Sequence, residues 1–190
     1  LYMPSYIPSL GEGELSALAS LPYSERAAKI LSYYLTDYTY KELLADCRAA
    51  YGPERFPDGA AIIKKVRDSE NLNTHYLELW HGPTCAFKDM ALQLMPRLLS
   101  RALLKTAEEK NALILVATSG DTGKAALEGY SDVDRIKIKV FYPKNGVSDV
   151  QRLQMTTQAG SNVSVCAVEG NFDDCQLGVK RMFVDKLFAK

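Results

Sequence analysis

Two short segments carry residues that could do chemistry. The first is His81-Gly82-Pro83-Thr84-Cys85-Ala86-Phe87-Lys88-Asp89. Lys88 falls in or near the first turn of a predicted helix. A cation there faces the positive end of the helix dipole, at a cost of roughly a few tenths of a kcal/mol or more. Asp89 beside it is the residue type that a helix start favours. Ala86, Phe87 and Met90 make the surroundings apolar. Burial and a helix N-terminus both depress a lysine pKa. That is what an amine needs to attack an aldehyde and then move protons near neutral pH. Taken alone, Phe-Lys-Asp reads first as a solvated lysine at a helix start.

The second segment is Thr118-Ser119-Gly120-Asp121-Thr122-Gly123-Lys124. A Gly-rich turn between a strand and a helix presents backbone N–H groups to an anion. A nucleotide P-loop needs Gly at position 118 and Ser or Thr at 125, where this chain has Thr118 and Ala125. The three-glycine dinucleotide spacing is absent as well. Asp121 or Thr122 is expected to cap the helix. The Asp121 carboxylate repels a bound carboxylate, so its expected role is to order the turn. Lys124 reads as a solvated helix residue, with a grip on a phosphate as the alternative. His81 reads as a structural imidazole beside a turn. Tyr33, Tyr34, Tyr38 and Tyr40 read as a helical packing face, without the basic interleaving of a nucleic-acid platform.

The elements that must position these residues follow from periodicity and punctuation. Helices are expected over Ser24–Leu35 and Thr39–Tyr51, then a loop marked by Gly52, Pro53, Pro57 and Gly59. A strand-like run, His75–Trp80, ends at Gly82-Pro83. One helix from about Phe87 to Thr106 follows, kinked at Pro96. Ala112–Ala117 is a continuous apolar run, as in a strand buried on both faces. A short helix to about Tyr130, a strand Ile136–Tyr142, a turn Pro143–Ser148 and a helix from Asp149 to about Gln158 come next. Asn162–Val168 is a strand, and Phe172 onward is helical. Alternating strands and helices predict an α/β fold, a parallel sheet with right-handed crossover helices. Ligands in such sheets sit outside the strands' carboxyl ends. Both segments would follow strand ends, at Trp80 and Ala117, and so share one cleft on one sheet edge. The expected division is a mainly helical segment, 1–74, and a parallel α/β part, 75–190.

Composition narrows the class. The 190 residues are 47% hydrophobic and 24% charged, with 23 basic and 23 acidic side chains. That is ordinary for a folded chain and leaves no broad basic footprint for nucleic acid. No apolar run reaches the roughly 18 residues of a membrane span. Leu1–Leu10 lacks the basic and apolar regions of a signal peptide. The four cysteines, Cys47, Cys85, Cys166 and Cys175, lack metal or redox spacing, and with two histidines no metal site is expected. Reduced thiols in the cytoplasm are the simplest reading. A chain that starts at Leu1 and stops in a predicted helix reads as a piece of a longer protein.

Four ordered segments together resemble the threonine synthase family of fold-type II pyridoxal phosphate enzymes. They are His81–Asp89, Ala117–Gly123, Gln154-Met-Thr-Thr157 with Gly160, and Gly170-Asn-Phe-Asp-Asp-Cys-Gln176. Leu1-Tyr2-Met3-Pro4 looks like part of that family's N-terminal region. The resemblance implies a tryptophan synthase beta-like fold, incomplete in this chain. It implies that Lys88 holds pyridoxal phosphate as a Schiff base and shuttles protons. O-phosphohomoserine would be the substrate, losing phosphate from Cγ and gaining water at Cβ to give threonine. Ser119, Gly120, Asp121, Thr122 and Gly123, with Lys124, would bind it, the turn's N–H groups holding its carboxylate. The family's glycine-rich loop for the cofactor phosphate and its hydroxyl for the pyridine nitrogen would lie beyond Lys190, which would leave this chain alone inactive. Two other readings stand beside this one: another enzyme of the same cofactor class, such as a threonine dehydratase, or a non-catalytic phosphate-ligand binding module.

Overall fold

In the computed structural model, which describes residues 3–66 and 73–188, the chain divides into two units, Leu1–His81 and Gly82–Lys190. The first holds α1 (Glu12–Ser20), α2 (Tyr23–Leu31), α3 (Tyr40–Tyr51), β1 (Ile62–Lys65) and β2 (His75–Glu78). Thr39 starts α3 with a reciprocal pair: its hydroxyl accepts from Glu42 N–H at 3.3 Å, and its own N–H donates to Glu42 Oε2 at 2.7 Å. α2 packs on α3, where Ala28, Leu43, Cys47 and Ala50 are fully buried. Burial pushes the Cys47 thiol up to about 11, with the Asp46 charge adding to it, so this sulfur is an inert core group.

Two expectations for this unit are corrected, and one helix is added. α2 stops at Leu31 rather than Leu35, and turns follow, with Leu35 N–H on Leu31 O at 2.8 Å. α1 was not expected, because only Leu18 on it is buried and no apolar stripe marks it. The strand at His75 does not open the parallel sheet. It pairs antiparallel with β1, Ile63 opposite Leu77, inside the first unit.

The second unit holds α4 (Asp89–Leu92), α5 (Met95–Lys105), β3 (Ala112–Ala117), α6 (Asp121–Tyr130), β4 (Ile136–Pro143), α7 (Asp149–Thr156), β5 (Val163–Val168) and α8 (Phe172–Val184). Strands β3, β4 and β5 form a parallel sheet in that order, with β4 central. Along β4, Ile136, Ile138, Val140 and Tyr142 are buried while Lys137 and Lys139 are exposed, the period-2 alternation of a strand with one packed face. Ala126, Leu127 and Tyr130 of α6 and Met155 of α7 complete that core.

β3 is an edge strand rather than one buried on both faces, and Leu113 is 47% exposed. The helix expected over Phe87–Thr106 is two helices, separated at Gln93–Leu94. Pro96 lies in the first turn of α5 and has no N–H to give the carbonyl four residues back, Leu92. That carbonyl lies instead against Gly129 of α6, where an added Cβ would come within 2.0 Å of it. α8 ends at Val184, with Asp185 extended behind it, so the helix does not run on as expected; residues 189–190 lie outside the described residues.

Candidate active site

Parallel strands put their carboxyl ends on one edge, and each strand here leads into a helix that starts there. α7 and α8 close their first turns with side chains. Ser148 Oγ accepts from Gln151 N–H at 3.2 Å, and Asn171 Oδ1 accepts from Asp174 N–H at 3.1 Å. α6 has no side-chain cap at Gly120. The expected cap by Asp121 or Thr122 is not formed, because Thr118, at the end of β3, takes the task from outside the helix. Its hydroxyl accepts from Gly120 N–H at 3.1 Å and Gly123 N–H at 3.0 Å, and donates to Gly120 O at 3.1 Å. Thr118 is only 2% exposed. The N–H groups of Asp121 and Thr122 remain in the first turn, where no intrahelical acceptor exists. N–H groups so placed can meet an anion.

Gly123 is needed by close packing. A Cβ there would lie 2.5 Å from Thr118 Cγ2 and 2.8 Å from Met155 Sδ. Asp121 has a partner thirty positions away: its Oδ1 accepts from Gln151 Nε2 at 3.0 Å. Lys124 is not simply solvated. Its Nζ donates to Glu128 Oε2 at 3.1 Å and to Gln158 Oε1.

Lys88 immediately precedes α4 in helical backbone, half-buried, with Nζ 4.1 Å from the centre of the Phe87 ring. Asp89 is turned away from it. The Asp89 carboxylate is fully buried and accepts from Thr84 N–H at 2.8 Å and Thr84 Oγ at 2.7 Å. Burial holds the Asp89 carboxyl above its ordinary value of 3.8, and the Thr84 hydrogen bonds pull the other way. Among the described residues no carboxylate is paired with Lys88 Nζ. The loop before it includes Cys85 at φ 58, a left-handed conformation rare for a side chain of this kind. Lys88 and the turn belong to the same unit, and α4 packs on α6, so the packing of two helices relates them rather than a shared strand edge.

His81 closes the first unit as a structural imidazole. Its Nε2 donates to Glu78 Oε2 at 2.8 Å, and its ring stacks on Trp80 with centroids 5.5 Å apart. Among the described residues no three His, Cys, Asp or Glu side chains are grouped to hold a metal ion. Thr118 and Gln151 are the site residues that sequence reasoning missed. The signal for Gln151 was the Ser148-x-x-Gln151 spacing of a capping box. No local signal marked the Thr118 hydroxyl.

The family model described as "Threonine synthase N terminus" matches residues 1–51. The threonine synthase of Pseudomonas aeruginosa is 41% identical over 100% of this chain and 39% of its own length. The structure of pyridoxal phosphate-bound threonine synthase from Brucella melitensis is 39% identical, with a TM-score of 0.88 over 99% of this chain and 39% of that one. The yeast threonine synthase structure gives a TM-score of 0.90 at 33% identity, over 98% of this chain and 38% of that one. The α/β architecture is thus that of the fold-type II class, with part of its parallel sheet and crossover helices. Within that class, the chain is similar along its whole length to threonine synthases. It spans about 39% of the length of the curated relatives first matched.

Proposed function

We propose that the protein carrying this chain converts O-phospho-L-homoserine and water to L-threonine and phosphate, with pyridoxal phosphate held by Lys88. The similarity to threonine synthases along the whole chain carries this reading. The dehydratase and binding-module alternatives gain no support from these relatives. The residues present fit the cofactor. Lys88 is a half-buried amine on an aromatic face, and its neighbouring carboxylate, held by Thr84, does not compete with an aldehyde for it. The bound cofactor supplies the aldehyde that Lys88 attacks and an electron sink for carbanions at the substrate's Cα and Cβ.

This chain's own residues then hold and protonate. The N–H groups of Ser119, Asp121 and Thr122 bind the substrate carboxylate at the start of α6. Gly120 and Gly123 shape that turn, their N–H groups being held by Thr118. The Lys88 amine, once released, takes the proton from substrate Cα and returns protons as the reaction closes. Lys124, engaged with Glu128 and Gln158, supports the turn rather than gripping phosphate. No described helix is long and apolar enough to cross a membrane. The four free cysteines support a reducing compartment, and we place the protein in the cytoplasm.

The test is phosphate release from O-phosphohomoserine with pyridoxal phosphate present, alongside the absorbance of the lysine-bound cofactor. Lys88→Ala is expected to lose that absorbance and nearly all turnover, more than the roughly 10²- to 10⁴-fold of a lost general base alone. Lys88→Arg is expected to do no better, because a guanidinium stays charged. Wild-type turnover in either variant refutes the role of Lys88. Absence of phosphate release from the unaltered protein refutes the activity.

A further inference from the structure

We propose that Gln151 is a positioning residue for the anion-facing turn, setting Asp121 and through it the donors that meet the substrate carboxylate. This rests on the reading above that the turn takes that carboxylate. The side-chain amide of Gln151 has two jobs at once. Its Oε1 accepts from Ser148 N–H at 3.2 Å and Ser148 Oγ at 3.3 Å, which closes the start of α7. Its Nε2 donates to Asp121 Oδ1 at 3.0 Å, across to the first residue of α6. The assignment of the two ends is dictated by Asp121, since an ionised carboxylate only accepts. The same nitrogen would lie 2.4 Å from a Cβ on Gly120, so the amide rests against the backbone of the turn itself. One side chain therefore ties two helix starts on the same sheet edge. It holds the Asp121 carboxylate on the α7 side.

Capping alone and positioning make opposite predictions for one nearly isosteric change. Gln151→Glu keeps the capping box, because Ser-x-x-Glu caps as well as Ser-x-x-Gln, and a carboxylate suits a helix start. A purely structural Gln151 therefore tolerates Glu. A positioning Gln151 does not, because Glu puts a like charge against Asp121. The double variant Gln151→Glu/Asp121→Asn exchanges donor and acceptor and restores the original net charge, so it should rebuild the bridge in reverse.

The experiment measures KM and kcat for O-phosphohomoserine, and amide hydrogen exchange without substrate, in the protein carrying this chain. Gln151→Glu is expected to raise KM at least about tenfold with kcat within about threefold. It should speed exchange of the Gly120 and Gly123 amides, which Thr118 holds, by a similar factor and leave those of α7 unchanged. The double variant should bring both back to within about threefold of the original. An unchanged KM and unchanged exchange in Gln151→Glu overturn the proposal, as does failure of the exchanged pair to recover either. If the unaltered protein releases no phosphate, the functional reading fails; the exchange measurement still decides the Gln151 bridge, since it needs no substrate.

Discussion

Thr118→Val tests whether a single hydroxyl organises the turn. The change preserves shape and replaces Oγ1 by a methyl group. Oγ1 accepts from Gly120 N–H at 3.1 Å and Gly123 N–H at 3.0 Å, and donates to Gly120 O at 3.1 Å. Gly123 N–H keeps a second acceptor, Gly120 O at 3.0 Å, so its loss is partial. Gly120 N–H is left without its acceptor in a buried place, which costs about 1–3 kcal/mol. The two weakened bonds add about 0.5–1.5 kcal/mol each. A total of about 3 kcal/mol is expected. Thr118→Ser is the matched control. It keeps the hydroxyl and loses the methyl that lies over Gly123, about 1 kcal/mol for a buried methyl group. The two variants should therefore differ by about 2 kcal/mol, roughly a thirtyfold change in the opening equilibrium. Native-state amide exchange along β4 reads the second unit directly. Equal protection in Thr118→Val and Thr118→Ser would show that the hydroxyl does not organise the turn.

Gly129→Ala is expected to cost more than about 2 kcal/mol, because its Cβ would meet the Leu92 carbonyl, backbone that cannot rotate away, at 2.0 Å; loss of β4 amide protection checks it, and an unchanged value means α4 does not pack closely on α6. Two aspartates should give stability opposite pH slopes. Burial raises the Asp89 carboxyl above its ordinary 3.8, so its favourable contribution is complete below that value and is lost as pH rises through the folded pKa. Asp132 is lowered below 3.8, because Ser161 N–H and Oγ donate to its Oδ1, so its contribution is present above that value and is lost as pH falls through the folded pKa. Urea unfolding from pH 2 to 7 should show Asp132→Asn removing part of the acid-side loss and Asp89→Asn removing part of the decline above pH 4; the reverse pattern refutes both assignments.

The sequence alone determined what depends on neighbours three or four positions apart. Apolar periodicity marks β3, β4 and β5 and the helices between them, and Thr39 with Glu42 marks the start of α3. Lys88 and the Gly-rich turn were legible because residue type and spacing carry their chemistry. The four-segment resemblance already pointed to the family that the relatives define. The tertiary structure alone decided what depends on loop closure. His75–Glu78 pairs antiparallel with Ile62–Lys65, a pairing that no local pattern in four residues announces. The Pro96 break is a separation of two helices, with the Leu92 carbonyl set against Gly129 of α6. Asp89 could be recognised as a helix-start residue, but only the fold turns it onto Thr84 and leaves the Lys88 amine free of it. The Gln151–Asp121 bridge joins residues thirty positions apart and exists only once two crossover helices start on the same sheet edge. A side chain's periodic place is written locally, whereas its hydrogen-bond partner is chosen by whichever distant backbone the packed sheet brings within about 3 Å.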